Sequence, residues 1–464
     1  MSHTEASAGG LRNWLARAPL PVFALYGMAV AYSTYFCMYA FRKPFAAAKF
    51  EGEFFFGTTV ALKTALVISQ ILGYALSKYA GIKVCSEVSR ARRAVLLLAL
   101  VVWAEAALVL CGLLPNDWKV VALFLNGLPL GMVWGLVVRY LEGRRTSELL
   151  LAGLSCSYIM SSGVVKDIGR AILEGTAADW WRQVPLLGGP VAGALAHVSE
   201  GWMPAVTGLH FLPLFFISVW LLNQMPQPDA ADVAARAERV PMGSKERLAF
   251  ARRFLFGLGA VCVSYFFLTA YRDFRDNYQV ELFDSLGYSY AGNKAIITRT
   301  ETMVSFGVMA ALALLTLIKS NRWGLIGAFA IMAGGVGLLG VGTLLWQAGR
   351  IGGFWWMALT GLGSYLAYVP FGSALFERVL AYTRTTGTAV FAIYVADALG
   401  YTGSVGVQLF KDLFQRDVPK LVFFTGFTYF MSVLGLVCLV SGCLYFVRQR
   451  PAGEARAGKV PSRG

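Results

Sequence analysis

The sequence is poor in charge, since only 14% of its 464 residues are Asp, Glu, Lys or Arg while 57% are hydrophobic. A soluble domain is closer to a quarter charged, so this composition argues against one. Apolar segments of about 20 residues, enough to cross roughly 30 Å of hydrocarbon, recur from end to end. We predict an all-α membrane protein with about twelve transmembrane helices. Their approximate spans are 21–46, 57–79, 94–114, 120–141, 149–172, 203–222, 254–274, 292–318, 323–346, 353–377, 386–409 and 421–446.

Several kinds of functional site are also missing. The seven cysteines include no CxxC pair and the three histidines are scattered, so no metal site is predicted. The glycine-rich stretch "GGVGLLGVG", residues 334–342, lacks the context and the Lys-Ser/Thr of a phosphate loop, and close helix packing is the simpler interpretation. No ATP-binding motif is evident, so no cofactor is expected. Arg12 and Arg17 precede a segment longer than a signal-peptide core, so no cleavable signal is expected.

The net charge of +15 is distributed unevenly along the chain. Basic residues concentrate in alternate loops, such as residues 83–93, 236–253 and 448–450. This is the positive-inside bias, which predicts a multi-pass protein of the cytoplasmic (inner) membrane with both termini in the cytoplasm. The charge excess is therefore explained by topology and not by nucleic-acid binding. The lipid bilayer is the expected partner, and a monomer is the expected state.

The chain repeats a short stretch half a chain apart. Residues 35–45 read "YFCMYAFRKPF" and residues 265–275 read "YFFLTAYRDFR", so that Arg272 falls where Arg42 fell. Repeated halves are typical of transporters, in which the substrate binds where the repeats meet. We predict an N-terminal six-helix half, a polar cytoplasmic connector, and a C-terminal six-helix half with a cytoplasmic tail. Their predicted boundaries are 1–222, 223–253 and 254–464.

The two repeated arginines are the central candidates for a binding site. A charged side chain at the centre of a membrane helix costs on the order of 2.5–3.5 kcal/mol, so it needs a partner or a wet cavity. A planar guanidinium binds phosphate or carboxylate oxygens through paired hydrogen bonds. We therefore predict that Arg42 and Arg272, one from each half, clamp an anion. The alternative is that both side chains reach the outer membrane surface and bind nothing.

Other polar residues in apolar segments could assist the two arginines. The alternative for each is a structural partner or, for the tyrosine, ordinary aromatic packing. Asp273, Arg275 and Asp276, next to Arg272, are interpreted as a solvated outer rim. Candidates that would add positive potential or line the polar path are Lys63, Lys166 and Tyr39. Candidates for carrying a proton or tuning the arginines are Glu301, Asp397, Asp167 and Glu105.

These residues resemble the organophosphate:phosphate antiporter branch of the major facilitator superfamily, the glycerol-3-phosphate and hexose-6-phosphate exchangers. Its first helix reads like "YAAYYLVRKNF", similar to "STYFCMYAFRKPF" with Arg42, and its seventh helix carries a second arginine in a context similar to Arg272. The second helix of that family has "YGFSKF", which "YALSKY" matches at Lys78. Glu301 looks like the acidic residue of its eighth helix. Tyr158 stands where that family has a histidine.

The resemblance implies a major facilitator fold and a secondary transporter that moves a phosphorylated or carboxylated solute by alternating access, as an antiporter. It would make Lys78 a further substrate-binding residue, together with Tyr158. A second function is a transporter-like sensor that binds an organophosphate without net transport, since that branch includes such members. A membrane-embedded transferase would have only His197 as a catalytic candidate with no catalytic set around it, so no enzyme is expected.

Overall fold

The computed structural model describes residues 3–142, 144, 146–182, 188–228, 232, 252–289, 291–383 and 389–449. Twelve long helices, α2–α6, α9, α10, α12–α14, α16 and α17, account for most of this described part. The helices of the described chain are α1 (His3–Arg17), α2 (Leu20–Tyr39), α3 (Leu62–Glu87), α4 (Arg90–Leu113), α5 (Lys119–Leu141), α6 (Ser147–Leu173), α7 (Ala178–Trp181), α8 (Gly188–Leu195), α9 (Met203–Asn223), α10 (Leu255–Asn277), α11 (Gln279–Ser285), α12 (Ile296–Thr316), α13 (Asn321–Gln347), α14 (Gly353–Pro370), α15 (Phe376–Thr383), α16 (Ala389–Phe414) and α17 (Lys420–Arg448).

Membrane-spanning length is common to the twelve long helices. Nine of them, within the described ranges, are also apolar enough in composition to cross a membrane. The other three, α3, α14 and α16, are 26, 18 and 26 residues long. The predicted all-α membrane architecture with about twelve long helices is confirmed.

The first long helix ends earlier than the sequence predicts. α2 stops at Tyr39, and a short 3₁₀ helix follows at Pro44–Ala47. Pro44 has no N–H to donate, and its ring crowds the carbonyl four residues before it, which favours the end of the α-helix before this point. Arg42 therefore lies in a turn after its helix, whereas Arg272 lies within α10.

The described helices belong to two compact units. Unit 1 comprises Met1–Arg236, Asp276–Ser305 and Gln408–Asp417, and unit 2 comprises Ala237–Arg275, Phe306–Val407 and Val418–Gly464. In unit 1, α2 packs on α6 and α9, α3 packs on α5, and α4 packs on α5 and α9. In unit 2, α13 packs on α14 and α17. The predicted domain boundaries stay predictions, and most of the predicted connector 223–253 lies outside the described residues.

Glycines allow close helix contacts within each unit. A Cβ on Gly73 of α3 would stand 2.3 Å from the carbonyl oxygen of Phe124 on α5. A Cβ on Gly335 of α13 would stand 2.6 Å from the carbonyl oxygen of Gly363 on α14. Small residues at such contacts let backbones approach each other inside a membrane. The close-packing interpretation of the glycine-rich stretch is confirmed at Gly335.

Candidate functional site

Arg42 is buried in unit 1 against tyrosines. Its side chain is 8% exposed, and its guanidinium carbon lies 3.9 Å from the ring centre of Tyr74 on α3. The Arg42 Nη1 atom is also 3.5 Å from the hydroxyl of Tyr39. Gln70 donates to the main-chain carbonyl of Arg42 at 2.9 Å, which holds the turn in place. A guanidinium on an aromatic face keeps its charge and leaves its edge N–H groups for hydrogen bonds.

Three other predicted site residues surround the same tyrosines. The Lys78 Nζ atom lies 5.6 Å from the Tyr74 ring centre, so a second cation shares that ring. Tyr39 stacks on Tyr158 of α6 with ring centres 6.4 Å apart. Unit 1 therefore connects Tyr74, Lys78, Tyr39 and Tyr158 to Arg42, directly or through one shared neighbour, and we call these five residues the Arg42 cluster.

Arg272 has a comparable aromatic setting in unit 2. It is 8% exposed, and its guanidinium carbon lies 4.3 Å from the ring centre of Tyr368 and 5.8 Å from that of Tyr365. Its Nη2 atom also forms an ion pair of 2.6 Å with Asp273, the next residue in the chain. Ser404 donates to the other oxygen of Asp273 at 2.9 Å. Arg272 thus has a charged neighbour as well as an aromatic one.

Asp397 joins the residues around Arg272 through Tyr265. The Tyr265 hydroxyl donates to Asp397 Oδ1 at 2.6 Å, and the Tyr265 ring stacks on Tyr368 at 5.3 Å. We call Arg272, Tyr265, Tyr368, Asp273 and Asp397 the Arg272 cluster. Tyr265 precedes Arg272 by seven positions, as Tyr35 precedes Arg42, and Tyr35 in turn packs edge-on against Tyr158. The repeated stretch thus contributes an arginine and a tyrosine to an aromatic cluster in each unit.

Lys166 belongs to a network of buried ion pairs in unit 1. This lysine is fully buried, and its Nζ atom donates to Asp276 Oδ1 at 2.7 Å, to the Asp276 carbonyl at 2.9 Å and to Gln279 at 2.7 Å. Lys43 pairs with the second oxygen of Asp276 at 2.5 Å. Gln279 in turn donates to Glu301 at 2.6 Å. All three donors of the Lys166 ammonium group are therefore used.

Lys63 has its own carboxylate in the same part of unit 1. Its Nζ atom pairs with Glu281 at 2.7 Å and donates to the Ala46 carbonyl at 2.9 Å. Nearer to solvent, Lys49 pairs with Asp284 at 2.9 Å, and this hydrogen bond raises the pKa of Lys49. The segment 276–284 thus supplies a carboxylate to each of these lysines.

The buried network contains as many acidic as basic residues. Among the described residues it has four of each, and Arg170 lies 3.8 Å from Asp167. Buried ions need such pairing because an unpaired one is costly. Lys63 and Lys166 therefore serve here as ion-pair partners of acidic residues. The buried members are Lys43, Lys63, Lys166, Arg170, Asp167, Asp276, Glu281 and Glu301.

The four candidates for proton or charge coupling lie in different surroundings. Glu301 accepts from Gln279, Asp397 accepts from Tyr265, and Asp167 accepts the main-chain N–H of Thr298 at 2.7 Å. Glu105 of α4 differs from the other three, because neither carboxylate oxygen has a hydrogen-bond partner among the described residues. It is 6% exposed and lies against Gly208 of α9.

The interpretation of Asp273, Arg275 and Asp276 as a solvated rim is wrong. Their side chains are 3%, 1% and 3% exposed. Each has a polar partner: Asp273 pairs with Arg272, Arg275 donates to the Met357 carbonyl at 2.8 Å, and Asp276 pairs with two lysines. These hydrogen bonds and ion pairs replace the hydrogen bonds that water would form with exposed side chains. They therefore offset the cost of burying these polar residues.

Three tyrosines beside the two arginines are not predicted from the sequence: Tyr74 and Tyr368 of the clusters, and Tyr365. Tyr74 stands in "GYALSKY", four residues before Lys78, and Tyr365 and Tyr368 are three residues apart on α14. Residues at these spacings share a helix face, a signal that could have been used. In the described part of the chain, no group of three or more His, Cys, Asp or Glu side chains could hold a metal ion.

Comparisons with known proteins identify the fold. Residues 44–449 match a protein family described as "Family of unknown function (DUF5690)", and none of the curated proteins matches the chain. The structure of a D-xylose–proton symporter is 13% identical, covers 92% of this chain and 97% of its own, and has a TM-score of 0.57. An inward-facing, unoccupied bacterial homologue of the human lysosomal transporter Spinster is 12% identical, covers 93% and 97%, and has a TM-score of 0.56.

A nucleoside transporter structure also matches, at 10% identity over 91% of this chain and 99% of its own, with a TM-score of 0.53. Identities this low show the fold alone. The likeness over nearly the whole chain confirms the predicted major facilitator fold.

Proposed function

We propose that this chain, which belongs to the family of unknown function DUF5690 and has the major facilitator fold, is a secondary transporter of a small anionic organic solute. The solute carries a phosphate or carboxylate group, as the resemblance to the organophosphate:phosphate antiporters suggests. Arg42 and Arg272, one from each sequence repeat, bind that group. Exchange against a second anion, or a proton gradient, drives the transport.

One observation carries this proposal. Each repeated arginine is buried, and each lies over a tyrosine ring of its own unit, at 3.9 Å for Arg42 and 4.3 Å for Arg272. An arginine that served only to reach the headgroups would extend toward the membrane surface, with an exposed guanidinium. Burial against tyrosine instead supports a role in which the N–H groups at the guanidinium edge form hydrogen bonds with a ligand.

The tyrosine ring contributes to binding by orienting the guanidinium. An arginine stacked on an aromatic face loses little further side-chain entropy when its N–H groups meet a planar or tetrahedral anion. Two such hydrogen bonds to a charged acceptor are each stronger than neutral ones, which gives both affinity and selectivity for phosphate and carboxylate over neutral solutes. Lys78, on the same ring as Arg42, adds positive charge.

The carboxylates near Arg272 change how strongly this arginine would bind an anion. Asp273 partly neutralises Arg272, so an incoming anion would compete with Asp273 for the same N–H groups. Asp397 is linked to Arg272 through Tyr265 and Tyr368, and we assign to it, or to Glu105, the movement of a proton that accompanies the solute. We further propose that Tyr39 and Tyr158 line the path of the solute.

A ligand screen tests the proposed substrate class. Purified full-length protein in detergent would be melted in the presence of phosphorylated and carboxylated metabolites, each paired with its neutral parent compound. Binding to the folded state stabilises it by RT ln(1 + [L]/Kd), about 2.7 kcal/mol at 100 Kd. We expect a dose-dependent rise in melting temperature for at least one anion and none for its neutral parent. Stabilisation by neutral compounds alone would contradict the proposal.

Flux measurements on the same ligand separate transport from sensing. The protein would be reconstituted in liposomes, and uptake of the radiolabelled anion would be followed with and without a trans anion or a pH gradient. We expect uptake above that of protein-free liposomes. Binding with no flux under either gradient would contradict transport and indicate the sensor function instead.

A further inference from the structure

A basic groove lies at the end of unit 1 where α1, the start of α4 and the end of α9 meet. Its volume is about 530 Å³. The residues that line it are Arg12, Asn13, Ala16, Arg90, Ala91, Asn223, Pro226 and Gln227. We propose that this groove binds a phosphate-bearing anion, either the headgroup of an anionic phospholipid or soluble phosphate. This inference does not depend on the proposed transport function or on Arg42 and Arg272.

The two arginines of the groove are held by main-chain carbonyls. Arg12 Nη2 donates to the carbonyl of Asn223, the last residue of α9, at 2.8 Å. Arg90 Nη2 donates to the carbonyl of Met225. These bonds fix the position of each guanidinium without cancelling its charge, because a carbonyl is a dipole and not an anion.

Much of the hydrogen-bonding capacity of both arginines is unused. A guanidinium has five N–H donors, and each of these two uses one in its bond to a carbonyl. No carboxylate among the described residues lies within ion-pair distance of Arg12 or Arg90. A further cation, Arg93, follows Arg90 on α4 and donates to the Arg139 carbonyl at 3.1 Å. The groove therefore keeps an excess of positive charge.

The helix that forms one wall of the groove suits a membrane surface. In α1, Leu15 is 1% exposed and packs into the unit, while Trp14 beside it is 55% exposed. A short helix with a buried leucine, an exposed tryptophan and arginines is typical of a segment that lies at the headgroup level. Because α4 and α9 are membrane-spanning helices that end here, lipid phosphates are the anions most concentrated at the opening.

The polar side chains in the groove suit a phosphate ester. Asn13, Asn223 and Gln227 add amide groups to the groove lining. Asn223 is positioned by Tyr140, whose hydroxyl donates to its side-chain oxygen at 3.2 Å. Phosphate oxygens accept from guanidinium and amide N–H groups together, whereas the quaternary ammonium of a zwitterionic headgroup would add a positive charge to an already positive groove.

Native mass spectrometry on the full-length detergent-solubilised protein tests the inference. Binding of phosphatidylglycerol would be titrated against phosphatidylcholine of the same acyl chains, for the wild type and for Arg12→Gln, Arg90→Gln and the double variant. We expect one phosphatidylglycerol bound roughly 10-fold more tightly than phosphatidylcholine, and a loss of that preference in the double variant, since charged hydrogen bonds are the stronger ones.

Two arginines on the same helices provide matched controls. Arg17 on α1 and Arg92 on α4 are exposed and are absent from the groove lining. Arg17→Gln and Arg92→Gln remove the same net charge and should change affinity by less than about two-fold, because diffuse surface charge is worth little. Equal losses in all four single variants, or no preference for the anionic lipid, would overturn the inference. Arg12→Lys/Arg90→Lys, which keeps both charges, guards against misfolding and should retain the preference.

A second arm distinguishes the two sources of phosphate. Inorganic phosphate would be added to lipid-depleted protein, with the melting temperature measured for the wild type and for the Arg12→Gln/Arg90→Gln variant. Stabilisation by phosphate that depends on these arginines would identify soluble phosphate as sufficient. Lipid binding that depends on them without such stabilisation would identify the lipid headgroup as the ligand. If neither lipid binding nor stabilisation by phosphate depends on Arg12 and Arg90, the proposed site is refuted.

Discussion

Asp276 is the shared ion-pair partner of two buried lysines. Both of its oxygens accept from buried lysines, Lys43 at 2.5 Å and Lys166 at 2.7 Å, and Ser162 adds a third contact. A shared carboxylate of this kind is difficult to replace, because each lysine relies on it in surroundings that contain little water. The cost of removing it follows from the two ammonium groups left without its charge.

We predict that Asp276→Asn strongly destabilises the protein. Removing one partner of a buried ion pair costs about 3–5 kcal/mol, and two lysines are affected here. The measurement is the melting temperature of the purified protein in detergent. Asp284→Asn is the matched control, because Asp284 pairs with Lys49 at 29% side-chain exposure, and an exposed pair contributes at most about 1 kcal/mol. Equal effects of the two substitutions would contradict the buried-network account.

Replacing the carboxylate of Glu105 by an amide should not lower the stability of the protein, in contrast to the same replacement at Asp276. Its oxygens have no hydrogen-bond partner among the described residues, so Glu105→Gln removes a possible charge without breaking a bond. A charge in the middle of a membrane helix is unfavourable, so the amide should be tolerated at least as well as the acid. We expect a melting temperature equal to or above that of the wild type. A clear drop would mean that Glu105 has an essential charged partner.

The sequence does not reveal which buried charged residues pair with each other. Lys166 and Asp276 are 110 positions apart, and Lys63 and Glu281 are 218 apart, so neither pair leaves a local pattern. Asp276 was therefore assigned to a solvated rim. In contrast, Arg42, Arg272 and Tyr39 stand in or beside the repeated stretch, and Lys78 stands in a motif similar to one of the antiporters, so the sequence alone is enough to propose them.

At the scale of elements, apolar length predicted the helices well but not where they begin and end. The second predicted segment, 57–79, begins at Leu62 and continues to Glu87 in the structure. Phe56 and Gly57 have positive φ values of 45° and 66°, which an α-helix cannot include. Hydropathy reports the length of an apolar run, whereas turns and prolines set its ends.

Adjacent glycines on α13 provide a test of the close helix contact. A Cβ on Gly335 would stand 2.6 Å from the Gly363 carbonyl oxygen, whereas a Cβ on Gly334 would meet nothing within 4 Å. We predict that Gly335→Ala lowers the melting temperature, because two helix backbones must move apart. Gly334→Ala should leave it unchanged or raise it, since alanine is favoured over glycine in a helix by about 1 kcal/mol. The reverse order would contradict the packing of α13 on α14.

At the scale of the whole molecule, the chain combines a repeated sequence element with the major facilitator fold. Arg42 and Arg272 are each buried over a tyrosine ring of their own unit, although one arginine lies in a turn and the other within a helix. The fold follows from composition and the comparisons, whereas the proposed solute rests on the proposal that these two guanidiniums bind an anion. The arginines are therefore where the function is best tested.

Uptake of the anion found in the ligand screen, measured in liposomes for Arg42→Lys and Arg272→Lys, is the most direct test. Lysine keeps the charge but cannot form paired hydrogen bonds, so we predict that KM rises at least about 10-fold in each variant. Arg275→Lys is the control, because Arg275 lies on the same helix as Arg272 and donates to the Met357 carbonyl; its KM should stay within about two-fold of the wild type. Unchanged uptake of every anionic substrate in both arginine variants would contradict the account.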